Sequence, residues 1–339
     1  MSKDLIHGGA VDAIAATFPE ATKPWLDLST GINPWPYPNI DVSTRALARL
    51  PTQADQDACR DAMASALKAP AQSIVLAPGS ECLIRLLPSL IHPRRIALLS
   101  PTYGDHSETW SRAGAEIIQT DDPLRVSSSV DTVILTHPNN PDGRRFDPEA
   151  LETARQALAA RGGWLIVDEA FADLLPEQSL APKAGADGLI ILRSFGKFFG
   201  LAGLRLGACL APVGLRKALK DRLGAWPVSG AALEIGTRAY ADFTWQAQTQ
   251  TRLVEAAERL DLILHDAGFE QVGGTALFRF VTTKDAYAVF ETLARAGIYT
   301  RRFAWSQTHL RIGLPGSSEA EARLRAALTP LNGVASLPR

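Results

Sequence analysis

The chain has 339 residues, 46% of them apolar and 21% charged, which is enough for two hydrophobic cores rather than one. Its 35 Lys plus Arg balance 36 Asp plus Glu, so neither nucleic acid nor an anionic membrane is expected as a partner, and an anionic ligand has to be held by a local cluster.

The opening residues lack the apolar segment of a signal peptide, and no stretch is long and apolar enough to span a bilayer. Cys59, Cys82 and Cys209 lie far apart and are expected as reduced, buried thiols of a cytoplasmic protein. The six histidines show no metal-ligand spacing, so no metal site is expected. Residues 1–40 carry Pro19, Pro24, Pro34, Pro36 and Pro38 with Trp25, Trp35 and Tyr37 between them. Such proline density forbids long helices while the aromatics seek burial, so this segment is expected as an arm lying on the body or on a partner subunit.

From there the pattern alternates. Helix is expected at 53–68, strand at 73–76, helix at 81–90, strand at 96–99 and helix at 103–113. Strand follows at 132–136, helix at 148–161, and strands at 164–167 and 189–192. Short apolar runs separated by helices imply an α/β domain, 41–230, with a mainly parallel sheet covered on both faces. Ligands of such sheets sit beyond the carboxyl ends of the strands. A long helical pattern at 231–267 leads into strand 275–281, helix 285–296, strands 298–302 and 310–313, and helix 318–330. This is a small α+β domain within 231–339.

Several polar residues fall at the strand ends. The run from Ser194 to Gly207 places Lys197 among small and apolar residues, with Ser194 before it and Arg205 after it. A lysine that captures an aldehyde must lose a proton, which neighbouring cations or a dry pocket favour. A hydroxyl, an arginine and glycine N–H groups can hold a phosphate. Pyridoxal 5'-phosphate (PLP) offers both an aldehyde and a phosphate. Asp168 ends the strand 164–167. It suits a partner for a protonated ring nitrogen, and equally a helix N-cap. Asn140 lies in the turn-forming His137-Pro138-Asn139-Asn140-Pro141, where a rigid turn can aim an amide at a phenolate oxygen. Gly79, Ser80 and Glu81 join strand to helix, either as an anion site or as an ordinary helix start. Tyr103 follows a strand and can stack on a flat ring or fill the core. Arg311 lies in an apolar strand, where it needs a carboxylate from substrate or from the protein. Arg301 and Arg302, with His7 and Asn33, form a second anion site or remain solvated charge.

Together these residues resemble the fold-type I PLP enzymes of the class I/II aminotransferase superfamily over nearly the whole chain. The resemblance implies a large α/β PLP-binding domain with a mainly parallel sheet, a small α+β C-terminal domain and a homodimer. It implies attachment of PLP at Lys197, phosphate contacts from Gly79, Ser80, Ser194 and Arg205, and Asp168 at the pyridine nitrogen. Asn140 is implied at the phenolate oxygen, Tyr103 as the stacking ring and Arg311 as the carboxylate clamp. The opening His7-Gly8-Gly9 and the run Leu26 to Pro34 resemble the branch of L-threonine-O-3-phosphate decarboxylases, which make the aminopropanol phosphate linker of cobalamin. In that branch the arm, here His7, Gly31 and Asn33, and an arginine matching Arg301 hold the phosphate of a small phosphorylated amino acid. Histidinol-phosphate aminotransferases are the near alternative, and a catalytically silent scaffold on the same fold is a third. Two positions depart from the aminotransferases. Phe171 stands where many carry a tyrosine, leaving Asn140 as the sole donor to the phenolate, and Leu50 stands where a tyrosine often reaches the neighbouring subunit.

Overall fold

The runs 96–99, 132–136, 164–167 and 189–192 are apolar at nearly every position, a pattern suited to strands covered on both faces. In the computed structural model, which describes residues 8–329, all four are strands. The chain opens with α1 (Val11–Thr17) and β1 (Leu26–Asp27). It continues through α2 (Thr44–Ala48), α3 (Gln53–Leu67), β2 (Ile74–Ala77), α4 (Ser80–Leu86), β3 (Arg95–Leu99), α5 (Gly104–Arg112) and β4 (Glu116–Thr120). Next come β5 (Thr132–Thr136), α6 (Pro148–Ala159), β6 (Trp164–Asp168), β7 (Leu189–Ser194), β8 (Gly207–Leu210), α7 (Val213–Leu223), α8 (Gly230–Ala241) and α9 (Phe243–Asp266). The chain then runs through β9 (Glu270–Thr275), β10 (Phe278–Thr282), α10 (Ala286–Arg295), β11 (Ile298–Tyr299), β12 (Arg301–Phe303), β13 (Ser306–Gly313) and α11 (Ser318–Leu328). Two units result: a larger one of 36–140 with 144–247, and a smaller one of 8–35, 141–143 and 248–329.

The larger unit is built on a seven-stranded sheet of order β2-β8-β7-β6-β5-β3-β4, parallel except for β8, which runs antiparallel to both neighbours. One face buries Val75, Ile96, Leu98, Ile134, Ile166, Ile190 and Leu192 with Leu83, Ile84, Trp110, Leu215 and Leu219 from the covering helices. Register then aligns the ends that matter. Thr136 pairs with Asp168, Asp168 with Leu192, and Gly207 with both Ser194 and Ala77. The carboxyl ends of β2, β5, β6 and β7 thereby form one edge together with the start of β8.

The smaller unit carries an antiparallel sheet of order β12-β13-β10-β9 and a parallel pair of β1 with β11. Helix α10 buries Ala286, Val289, Phe290, Leu293 and Ala294, the one-sided spacing of an amphipathic helix.

The structure corrects several sequence expectations. The long helix 231–267 is two helices, because Asp242 leaves helical geometry and its Oδ1 accepts from the Trp245 N–H at 2.9 Å, capping α9. Its first half, α8, packs on α3 within the larger unit, where a Cβ at Gly236 would lie 3.1 Å from Cys59 Sγ of α3 and 2.4 Å from the end of the Leu206 side chain. The strand 275–281 is the second arm of a hairpin, β10, preceded by β9 and entered through a turn where the Thr275 Oγ1 accepts from the Leu277 N–H. The strand 298–302 divides between two sheets, β11 pairing with β1 and β12 with β13. The helix 81–90 loses its α geometry at Leu87, where Pro88 has no N–H to continue the ladder. Strands β1, β4, β8 and β9 and helices α1, α2 and α7 were not expected at all; α1 and β1 fall in the segment 1–40 that the sequence reads as an irregular arm. Of the thiols, Cys59 and Cys209 are buried and pushed up to about 12 by desolvation, whereas Cys82 is only partly covered. Two of the arm's aromatics, Trp35 and Tyr37, pack on this same chain. Trp35 Nε1 donates to the Gly316 carbonyl at 2.9 Å beneath the Arg252 guanidinium, and Tyr37 is buried with its N–H on Phe199 O.

Candidate active site

The lysine segment is held by its neighbours in sequence. Phe195, Phe198 and Phe199 are buried to within 1% exposure, and Phe195 stacks on Phe199 at 4.3 Å. Phe199 in turn stacks on Trp245 and meets Tyr240 edge-on. At Gly196 a Cβ would lie 2.5 Å from Ala202 Cα, so the loop closes on itself there. With both flanks locked in this aromatic block, Lys197 is the partly exposed residue between them. It lines a cleft of about 140 Å³ at the strand-end edge, whose wall also includes Gly79, Ser80, Glu81, Tyr103, Thr136, Asn140, Asp168, Ala170, Phe171, Ser194 and Arg205.

One end of the cleft is an anion cradle. Gly79 has φ +91°, a left-handed conformation that turns the chain from β2 into α4 and that an L side chain adopts only with strain. A Cβ there would stand 2.8 Å from Arg205 Nη2, so the guanidinium closes directly over the turn. Arg205 itself is a non-glycine residue at φ 55°, a strained backbone retained beside the site. Gly207 lets β8 start against this turn, since its Cβ would lie 2.7 Å from the Ser80 nitrogen. A Gly79→Ala substitution is therefore expected to weaken PLP binding about 10-fold, the effect of roughly 1.4 kcal/mol of strain and displaced Arg205, measured by titrating the apoprotein.

The other end holds a braced carboxylate. Asp168 is 3% exposed; its Oδ1 accepts from the Ala170 N–H at 3.1 Å and its Oδ2 lies 3.1 Å from His106 Nε2. The ring of Tyr103 meets His106 edge-on at 6.2 Å. On the far side of the same strand ends, Glu169 and Arg193, both fully buried, pair at 2.8 Å. Arg193 also pairs with Asp173, and Glu169 accepts from the Leu180 N–H at 2.7 Å and the Ser179 hydroxyl at 2.5 Å. Glu169 directly follows Asp168 and Arg193 directly precedes Ser194, so this buried cluster ties the two strand ends that carry the site. Removing one member would strand an uncompensated charge. His137 takes no part in the cleft; it is fully buried, its Nδ1 accepts from the Phe146 N–H at 3.2 Å, and desolvation lowers its pKa.

The residues assigned to substrate lie in the smaller unit. Arg311 is buried and donates through Nη2 to the Ser29 carbonyl at 2.7 Å; Arg301 faces it across β12 and β13. Burial, reinforced by Arg301 and opposed by Asp27, pushes Arg311 down to about 9, an environment in which an added anion is favourable. Ser29 is held by Asp27, whose Oδ1 accepts from its N–H and hydroxyl at 2.8 and 2.6 Å. Gly31 and Asn33 are buried in the same loop, and Asn33 Oδ1 accepts from the Trp35 N–H at 2.9 Å. Their neighbour in that prediction, His7, lies outside the described residues.

Sequence reasoning missed the bracing residues. A signal for one existed: Arg193 sits in an apolar strand just as Arg311 does, and needs a buried partner for the same reason. His106 and Asp105 carry no such mark, since helix positions near an N-terminus are ordinarily solvated.

Residues 35–327 match the family described as aminotransferase class I and II, and the chain belongs to it. Within that family it is 40% identical to a threonine-phosphate decarboxylase of Pseudomonas aeruginosa across 96% of this chain and 97% of that protein. It is 39% identical to one from Sinorhizobium sp across 97% and 98%. A histidinol-phosphate aminotransferase of Mesorhizobium japonicum is 24% identical across 94% and 91%. In fold, the chain is similar to the histidinol-phosphate aminotransferase of Sinorhizobium meliloti crystallised with pyridoxal-5'-phosphate, with TM-score 0.83 and 20% identity over 95% and 94% of the two chains.

The cleft's donor set fits PLP. It offers an amine for an aldehyde (Lys197), a cradle for a phosphate (Gly79, Ser80, Ser194, Arg205), a buried carboxylate for a ring nitrogen (Asp168), an amide for a phenolate (Asn140) and a flat ring (Tyr103) in one space. Phe171, 3% exposed, lines the same space without a hydroxyl.

Proposed function

We propose that this chain is a cytoplasmic, homodimeric, PLP-dependent threonine-phosphate decarboxylase of cobalamin biosynthesis. It releases carbon dioxide from L-threonine O-3-phosphate, takes up one proton at the carbon that bore the carboxylate, and leaves (R)-1-aminopropan-2-yl phosphate. The carrying observation is 40% identity to a threonine-phosphate decarboxylase over nearly the full length of both chains, against 24% for a histidinol-phosphate aminotransferase. The homodimer is supported by Leu47 and Leu50, exposed at 70% and 63% on and just after α2, where uncovered large apolar side chains favour a protein partner.

Bound PLP supplies the electron sink for the pair left behind when the carboxylate departs. The protein's part is placement and charge. Lys197 Nζ would hold the cofactor's aldehyde carbon, and the same amine would hold the proton delivered to the substrate carbon. Asp168, braced by His106 and the Ala170 N–H, keeps a negative charge at the ring nitrogen. Asn140 donates at the phenolate, and Gly79, Ser80, Ser194 and Arg205 grip the cofactor phosphate. Arg311 is assigned to the substrate carboxylate. His7, Gly31, Asn33 and Arg301 are assigned to the substrate phosphate.

The test uses purified protein with PLP and L-threonine O-3-phosphate, and no 2-oxo acid. Carbon dioxide release at a dimer's mass by light scattering is the expected result. Glutamate formation from histidinol phosphate and 2-oxoglutarate, without carbon dioxide, would replace this reading with transamination. Bound PLP with neither reaction would leave a silent scaffold.

A further inference from the structure

Asp105, in the first turn of α5, has no role in the chemistry above, yet it is only 2% exposed, a depth at which a carboxylate requires partners. It accepts from the Tyr103 hydroxyl at 3.0 Å and from Arg85 Nη2 at 3.2 Å, both at Oδ2. Arg85, half-exposed on α4, also pairs at 3.0 Å with Glu81, one helical turn earlier. Glu81 and Tyr103 both line the cleft. A continuous polar chain, Glu81–Arg85–Asp105–Tyr103, thus runs behind the cleft from the helix that begins at the anion cradle to the ring expected to stack on the cofactor. Burial and the nearby carboxylates raise the Tyr103 pKa, so its hydroxyl stays a donor throughout the working pH range. A tyrosine at a cavity wall turns about two side-chain bonds unless its far end is tied, and a hydrogen bond to a charged, buried acceptor is a strong tie.

We propose that Asp105, oriented by Arg85, is a positioning residue that fixes the plane of the Tyr103 ring against which PLP packs. The proposal rests on the PLP reading given above. The ring itself provides the contact; Asp105 restricts its rotation, so the cofactor does not have to order it on binding.

Full-length apoprotein is titrated with PLP, reading the dissociation constant and the visible circular dichroism of the bound cofactor. Asp105→Ala should weaken PLP about 10-fold and reduce the dichroism, the scale of losing a hydrogen bond to a charged group. Asp105→Asn, whose carboxamide oxygen still accepts from Tyr103, should restore most of both. In a Tyr103→Phe background, which keeps the ring and removes the hydroxyl, Asp105→Ala should change neither further. An equal loss in both backgrounds, or no loss in either, overturns the positioning role while leaving the PLP reading intact. Failure of the wild-type protein to bind PLP overturns both. Should Asp105→Ala not fold, Arg85→Gln at its half-exposed site decides: it is expected to weaken PLP and lower the dichroism with Tyr103 present and to do nothing with Phe at 103, and an absence of effect with Tyr103 present overturns the proposal.

Discussion

Lys197→Ala is expected to remove the visible absorption band of bound PLP and to lower carbon dioxide release by a factor on the order of 10³ or more, as one group is asked both to anchor the cofactor and to move a proton. The fold should survive. The packing of the aromatic block is carried by Phe195, Phe198 and Phe199 on Trp245 and Tyr240, all of which the substitution leaves in place. The variant's far-ultraviolet circular dichroism and melting temperature should therefore match those of the parent protein freed of PLP, which separates loss of chemistry from loss of structure. Retention of both the band and turnover would remove Lys197 from the assigned role and leave the cleft without a covalent anchor.

Asp168→Asn should give the complementary phenotype. The amide fills the same volume and can still bond to His106, so PLP should remain attached and coloured. It carries no charge, so the ring nitrogen loses the partner that keeps it protonated. Turnover is expected to fall about 10²–10³-fold, the scale of deleting one preorganised electrostatic contact in a dry site. Most of the change should appear in kcat, because the contact matters most where negative charge develops. Equal activity of parent and variant, measured as carbon dioxide released per bound PLP, would show that the carboxylate is not the ring's counter-charge. The two variants together divide the site: one loses colour and rate, the other rate alone.

The strand-end residues were legible because covalent order places them. A short apolar run followed by a polar residue at a turn puts that residue at the edge of a covered parallel sheet, which is how Asp168, Asn140, Tyr103 and Ser194 could be read off in advance. The sheet's interior was legible for the same reason. The hairpin at 270–282 and the break at Asp242 were not, since the first arm, Glu270 to Thr275, is polar and holds two glycines, and a helical period passes through a capping residue with little change. Strand β8 was hidden by its composition: Gly207-Ala208-Cys209-Leu210 has small side chains at most positions and no alternation. Its antiparallel course between β2 and β7 is what sets Gly207 against both Ala77 and Ser194.

From the residues alone came the cofactor's chemistry: a lysine in an apolar setting, a carboxylate at a strand end and a glycine turn before a helix have few other uses in combination, and side-chain chemistry does not depend on where the chain folds. Folding decided what stands behind those groups. His106 reaches Asp168 across 62 positions, Arg193 reaches Glu169 across 24, and Asp105 joins Arg85 across 20. Such contacts leave no periodic trace, because each is made between elements whose neighbourhood is set by sheet order and register, and a buried charge reveals its partner only once the two surfaces have met.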